Sequence, residues 1–110
     1  LYTDEFEMWW ESLSADEQDQ IAKGVDLLER FGPGLSRPYV DTVKGSRHNN
    51  MKELRTQCHG DPFRTFFAFD PERNAILLIG GVKKDDKHFY DEMIPVADNI
   101  YDEHLKDMKG

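Results

Sequence analysis

The sequence predicts an α+β fold built from a helical hairpin, an antiparallel β-meander and a C-terminal helix. Three observations carry this prediction. Apolar residues recur at helical spacing from Phe6 to Phe31, three extended segments separated by turn residues run from Met51 to Lys83, and helical spacing returns from Phe89 to Leu105. A chain of 110 residues supports one modest core, so a single domain over 1–110 is expected.

The opening Leu1-Tyr2-Thr3 reads as the tail of an incomplete first strand. Phe6, Trp9, Trp10 and Leu13 give a short amphipathic helix over 6–13. Its adjacent indoles cannot share one face, so one is expected in the core and the other on a partner or a sheet edge. Ser14 followed three residues later by Glu17 forms a capping box, in which each side chain satisfies a free backbone donor at a helix start. Ile21, Val25, Leu28 and Phe31 supply the buried stripe of that second helix, and Gly32-Pro33 ends it. Residues 34–50 read mostly as loop, with a brief extended candidate at 39–43.

Extended segments follow at 51–58, 63–69 and 75–83. They are separated by His59-Gly60-Asp61-Pro62 and by Asp70-Pro71-Glu72-Arg73-Asn74, which is turn chemistry and predicts an antiparallel meander. The run Ala75-Ile76-Leu77-Leu78-Ile79 is apolar on both faces, as expected of a strand interior to the sheet. In the last segment Phe89, Met93, Val96, Ile100 and Leu105 lie near helical spacing, and Pro95 is expected to kink or restart the helix.

The net charge of -8 opposes nucleic-acid binding, which rests on phosphate neutralisation by Lys and Arg. Its distribution alters that conclusion. Residues 1–36 carry net -7, residues 37–87 net +3 and residues 88–110 net -4, so a basic middle lies between acidic ends. Such a chain can hold a local anion site while its overall field repels free RNA, and an RNA substrate would need to be presented by another body. No apolar run approaches the roughly 20 residues that span a bilayer, and no secretory leader opens the sequence, so no membrane partner and a cytoplasmic location are expected. The single Cys58 reads as a half-buried strand thiol. The four histidines are too scattered for a metal centre, and neither metal nor other cofactor is expected. His48 and His104 read as surface residues.

Strand parity assigns the side chains of the meander to faces. If a four-residue turn pairs Cys58 with Phe63, then Glu53, Arg55, Gln57, Arg64, Phe66 and Ala68 point to one side. The next hairpin brings Gly80 or Gly81 opposite Arg64, and glycines there let a ligand approach the main chain. Lys83, Lys84, Lys87, His88 and Tyr90 follow within ten residues. This set suits metal-free RNA cleavage, in which the ribose 2′-hydroxyl attacks phosphorus and the 5′-oxygen leaves. Arg64 fits the stabilisation of phosphoryl charge, assisted by Lys83, Lys84 or Lys87, because a guanidinium holds phosphate in a two-point grip. His88 and Tyr90 are candidates for proton transfer, with Glu53 or His59 behind them. The plainer readings stay open: Arg64 or Arg55 paired with a carboxylate such as Glu53, and 84–87 as a solvated turn of balanced charge.

The chain resembles the RelE/ParE toxin superfamily, and within it phage-type HigB-like toxins. The resemblance rests on Thr3-Asp4-Glu5-Phe6 with Trp10, Met51-Lys52-Glu53-Leu54-Arg55, the stretch Phe63-Arg64-Thr65-Phe66-Phe67-Ala68-Phe69-Asp70-Pro71, and Ile94-Pro95-Val96-Ala97-Asp98 with Tyr101-Asp102-Glu103. It implies a RelE-like α+β fold whose twisted antiparallel sheet carries the two N-terminal helices on one face. It also implies ribosome-dependent endonucleolytic cleavage of mRNA, and neutralisation by a cognate helix-turn-helix, HigA-like antitoxin through which alone operator DNA would be bound. Arg64 aligns with a strand arginine that serves catalysis in several relatives, and Lys83 to Tyr90 lies where others place basic and aromatic catalytic residues. Arg55 matches a family strand arginine and is grouped with Lys84, Gly80 and Gly81 as phosphate-binding, a structural role remaining open. Two other functions compete: a ParE-like toxin that poisons DNA gyrase without cleaving RNA, and a non-catalytic module whose basic turn docks an acidic protein.

Overall fold

The computed structural model describes residues 1–84 and 87–110. Its elements are α1 (Asp4–Glu11), α2 (Ala15–Phe31), a short 3₁₀ turn (Gly32–Gly34), β1 (Val40–Thr42), β2 (Lys52–Cys58), β3 (Asp61–Phe69), β4 (Ala75–Val82) and α3 (Phe89–Lys109). The strands form an antiparallel sheet in the order β1-β2-β3-β4. The α+β fold expected from the sequence is the one observed.

Each N-terminal helix starts where a side chain satisfies its free donors. Thr3 Oγ1 accepts from Phe6 N at 3.1 Å and donates to Leu78 O at 2.6 Å, so one hydroxyl both caps α1 and fastens it to β4. Ser14 and Glu17 form the expected capping box of α2. Gly32 follows with φ +53, a left-handed conformation that favours glycine.

The sheet separates two layers. On one face α1 and α2 bury Phe6 and Leu28 against Val40, Leu54, Phe67 and Leu77, and Ile21 packs with Cys58 and Phe63. On the other, α3 lays Phe89, Ala97, Ile100 and Tyr101 over Met51, Phe66, Ala68 and Ile76. Pro95 does not interrupt α3. The helix is held on both sides of the proline by this packing, which offsets the roughly 3 kcal/mol a helix-interior proline costs, and the Pro95 ring is exposed. β4 is the last strand of the sheet rather than an interior one. It is apolar on both faces because α1 covers one and α3 the other. Its outer edge is met in part by the first residues, with Thr3 N donating to Leu77 O and Leu77 N to Leu1 O, each at 3.0 Å, around a parallel bridge between Tyr2 and Leu77.

The β2–β3 turn differs from the sequence expectation. It contains two residues, His59 (φ 51) and Gly60 (φ 84), and β3 runs on through Pro62, so Cys58 pairs with Asp61 and Arg55 with Arg64. Two positive φ values in succession match the twist of a tight hairpin. The register therefore shifts by two residues, which leaves every side chain on its expected face.

His48 and His104 are half-buried structural residues rather than surface ones. His48 Nε2 lies 2.8 Å from Asp102 Oδ1, and His104 Nε2 lies 3.0 Å from the buried Asp70. Both rings lie against Tyr101. Buried Asp98 accepts from Ser46 Oγ at 2.5 Å and Arg47 N at 3.0 Å, and Arg47 also reaches Asp102. These carboxylates of α3 hold the loop before β2 in place.

Candidate functional site

Five of the expected site residues converge where β2, β3 and β4 meet the start of α3. Alternation along β3 turns Phe63, Thr65 and Phe67 toward α1 and α2, and Arg64 and Phe66 toward α3. On β2, Glu53 pairs with Phe66 and Arg55 with Arg64, so both point the same way. A bulge between Phe66 and Phe67 leaves Leu78 unpaired in β4 and sets Gly81, not Gly80, opposite Arg64.

Arg64 is only 6% exposed. Its Nε lies 3.8 Å from Glu53 Oε1, an ion pair between two buried groups, and its Nη1 donates to Phe63 O at 3.0 Å. Nε itself is buried with no hydrogen-bond partner. Tyr90, in the first turn of α3, donates its hydroxyl to Glu53 Oε1 at 2.7 Å. Burial, first, and then the Glu53 carboxylate raise the Tyr90 phenol above its ordinary value of 10, outweighing the opposing influence of Arg64. Tyr90 is thus held protonated, the state of a proton donor. Lys83 Nζ lies 5.7 Å from the centre of the Tyr90 ring, within cation–π range. Arg55, half-exposed, adds a second guanidinium directly across the ladder from Arg64.

The structure therefore brings together Arg55, Arg64, Gly81, Lys83 and Tyr90 with Glu53, the lesser proton-transfer candidate, which accepts from Tyr90 and pairs with Arg64. Strand parity puts Glu53 on this face, but nothing local announces that a tyrosine on α3 will reach it. The other candidates stand apart. Lys84 is exposed and lies 3.7 Å from Asp61. Lys87 and His88 are exposed on the turn entering α3, His88 being 3.7 Å from Asp91. His59 sits at the far hairpin, 3.1 Å from Asp16. Asp85 and Asp86, part of the turn read as balanced in charge, lie outside the described residues.

The glycines do not open the backbone to a ligand as expected. A Cβ on Gly80 would lie 2.8 Å from Trp9 Cε3 and closer still to Cη2, because the indole fills the space beside that residue. A Cβ on Gly81 would meet Phe89 Cε1 at 3.0 Å. Close packing of α1 and α3 onto β4 is what these two positions provide. Trp9 is thereby the indole packed on the sheet, and Trp10 borders the open groove between α1 and α2. Among the described residues no group of three or more His, Cys, Asp or Glu is placed to hold a metal ion, and no helix is long and apolar enough to cross a membrane.

Residues 8–102 match the protein family described as "Phage derived protein Gp49-like (DUF891)". The chain is 45% identical over 105 residues to "Putative toxin HigB3" of Mycobacterium tuberculosis (strain ATCC 25618 / H37Rv), an alignment covering 94% of this chain and 90% of that protein. It is 44% identical over 99 residues to "Putative toxin HigB2" of the same organism, covering 88% of this chain but 49% of that protein, so the chain spans about half of that relative's length. No solved structure gives a significant match.

Proposed function

The chain belongs to the phage-derived Gp49-like family, and from that premise we propose that it is the toxin of a toxin–antitoxin pair that cuts mRNA on the translating ribosome. Its resemblance to two proteins named as HigB toxins supports the toxin reading. The single observation that supports the chemistry is the guanidinium of Arg64, buried beside Glu53 and the Tyr90 hydroxyl with one donor unsatisfied. A buried donor without a partner costs about 1–3 kcal/mol, and such unmet demand concentrates at sites that complete themselves with a ligand. A phosphoryl oxygen would complement that Nε–H once the cover of the buried guanidinium opens to admit it, and the partly exposed Arg55 and Lys83 supply further positive charge beside it.

In this mechanism the ribose 2′-oxygen loses its proton and bonds to phosphorus, and the P–O5′ bond breaks. A 2′,3′-cyclic phosphate and a 5′-hydroxyl result. Tyr90, kept protonated, gives its proton to the departing 5′-oxygen, with Glu53 orienting the phenol. Arg64, with Arg55 and Lys83, stabilises charge on the phosphoryl oxygens. His88, exposed on the turn entering α3, is the candidate to accept the 2′-proton once the RNA bridges it to the Arg64 cluster, and Lys84 and Lys87 extend positive charge along the path of the RNA. On this reading the ribosome presents the substrate, as the acidic total of the chain favours, the chain acts in the cytoplasm, and binding of operator DNA is left to a helix-turn-helix antitoxin.

The test is a reconstituted translation system in which mRNA ends are mapped by primer extension. Wild type should cut inside the translated frame, and Tyr90→Phe should cut about 10²–10⁴-fold more slowly, the usual contribution of a positioned acid. Undiminished cutting by a folded Tyr90→Phe removes the proposed acid. A second reading, toxicity by binding DNA gyrase without cleavage, draws on the burial of Arg64, which is paired within the fold. It expects intact transcripts together with inhibited supercoiling.

A further inference from the structure

A groove of about 620 Å³ runs between α1, α2 and the outer edge of β4, on the face of the sheet opposite the Arg64 cluster. Its floor is apolar, made by Phe6, Trp10, Val25, Leu28 and Leu77, and Tyr2, 61% exposed, stands at its mouth. Its rim is acidic. Glu7 and Glu11 border it from α1, and Asp26 and Glu29 from α2. Among the described residues no Lys or Arg lines it, and Arg30, next in the chain to Glu29, approaches Asp26 at 3.7 Å. An apolar trough between two like-charged helices is open to a segment with an apolar stripe flanked by positive charge, and it repels a second copy of this chain presenting the same acidic surface. The volume falls in the range of sites that take several anchoring side chains.

We propose that this groove seats an amphipathic helix of the antitoxin, with leucine-like anchors on its floor and Lys or Arg against Glu7, Glu11 and Glu29. The inference rests on the toxin reading for the identity of the partner. The groove and the Arg64 cluster lie on opposite faces, so a helix seated here leaves Arg64, Lys83 and Tyr90 uncovered.

The probe is a 14-residue peptide, about 21 Å long as a helix, with leucines at helical spacing and arginine flanks, and a counterpart with glutamate flanks. Both are titrated into the full chain while Trp fluorescence and backbone amide shifts are followed. The arginine peptide should bind at least about tenfold more tightly, as several rim ion pairs would give, with shifts confined to α1, α2 and residues 1–3. Glu7→Lys/Glu11→Lys/Glu29→Lys should reverse the preference. Ala22→Trp, at an exposed position of α2 that borders the groove, should block binding without disturbing the fold. Three results overturn the proposal: shifts that map to Arg55 and Lys83, a preference unchanged by the rim reversal, or a dimer of this chain that Ala22→Trp dissolves. Growth on expression of the chain tests the toxin reading separately. Arrest without peptide binding removes the groove alone, and the expected binding without arrest removes the toxin.

Discussion

Removing one partner of the buried Glu53–Arg64 pair should cost far more than removing both. At 3.8 Å and an effective dielectric of about 20, the attraction between the two charges is about 4 kcal/mol. Breaking a buried pair by deleting one member characteristically costs about 3–5 kcal/mol, because the survivor stays buried without compensation. Arg64→Met keeps the aliphatic stem and removes the charge, and Glu53→Gln keeps the acceptor for the Tyr90 hydroxyl. In the double variant neither charge remains, so stability should recover by a coupling of about 2–3 kcal/mol relative to the sum of the single losses. Urea unfolding followed by Trp fluorescence measures this directly. With a slope of about 1.5 kcal/mol/M, a 3 kcal/mol loss moves the midpoint by about 2 M. Additive single losses, or a loss below about 1 kcal/mol for Arg64→Met, would refute the reasoning, since the pair would then not be desolvated as the structure has it. The same double variant serves the functional question. It is expected to be folded and to cut no mRNA, which separates loss of a catalytic guanidinium from loss of the fold.

Gly80→Ala should destabilise the chain by about 1–3 kcal/mol, because the new methyl overlaps the Trp9 ring between α1 and β4, and a smaller side chain at Trp9 should relieve part of that loss in urea melts. Cys58, 6% exposed and with its thiol pushed above its ordinary 9.0 chiefly by burial, should resist a thiol-specific disulfide reagent in the native state and react at once in denaturant. Burial alone would raise the Asp70 carboxyl. The His104 imidazole and the N–H groups of Asn74 and Glu72 outweigh it and hold Asp70 below its ordinary 3.8. Its contribution to stability is therefore complete above an unfolded value of about 3.9 and is lost as pH falls through the lower folded value, so urea midpoints below about pH 4 should fall more steeply in wild type than in Asp70→Asn.

What the sequence disclosed was local. Ser14 and Glu17 announce α2 because a capping box is written within four residues, and the strands at 51–58, 63–69 and 75–83 stand within two residues of those observed because turn chemistry bounds them. Facing survived the shorter β2–β3 turn because a slip of two preserves strand parity. What stayed hidden depends on distance in the chain. The bulge that leaves Leu78 unpaired decides which glycine meets Arg64, and no residue near it signals an insertion. Tyr90 reaches Glu53 across 37 positions, and His48 reaches Asp102 across 54, because α3 docks at one particular height on the sheet, a property of the whole core rather than of any segment. The glycines were legible as places of close approach, but not what approaches. Two aromatic rings of the chain itself, Trp9 and Phe89, occupy the space a ligand was expected to fill.

The segregation of charge gives the two faces of the sheet different electrostatic surroundings. The hairpin that borders the groove belongs to a segment of net -7, and the strands that carry Arg55 and Arg64, with Lys83 just after the last strand, belong to one of net +3. At physiological salt, screening over about 8 Å lets each surface act largely by itself, so an acidic protein can still present a locally cationic patch. Free RNA passing close to the acidic helices is repelled there, whereas an RNA already held at the other face feels mainly the nearby cations. On the proposed mechanism, this asymmetry makes dependence on a presenting body partly a matter of electrostatics. Raising the salt should weaken repulsion of free transcripts and attraction at the pocket together, leaving the choice of presented over free substrate to geometry. Reversing Glu7, Glu11 and Glu29 to lysine lowers the long-range barrier without touching Arg64, so on the proposed mechanism it should increase cutting of naked RNA more than cutting on the ribosome. Equal changes in both would place the requirement for the ribosome in the positioning of the reacting groups instead.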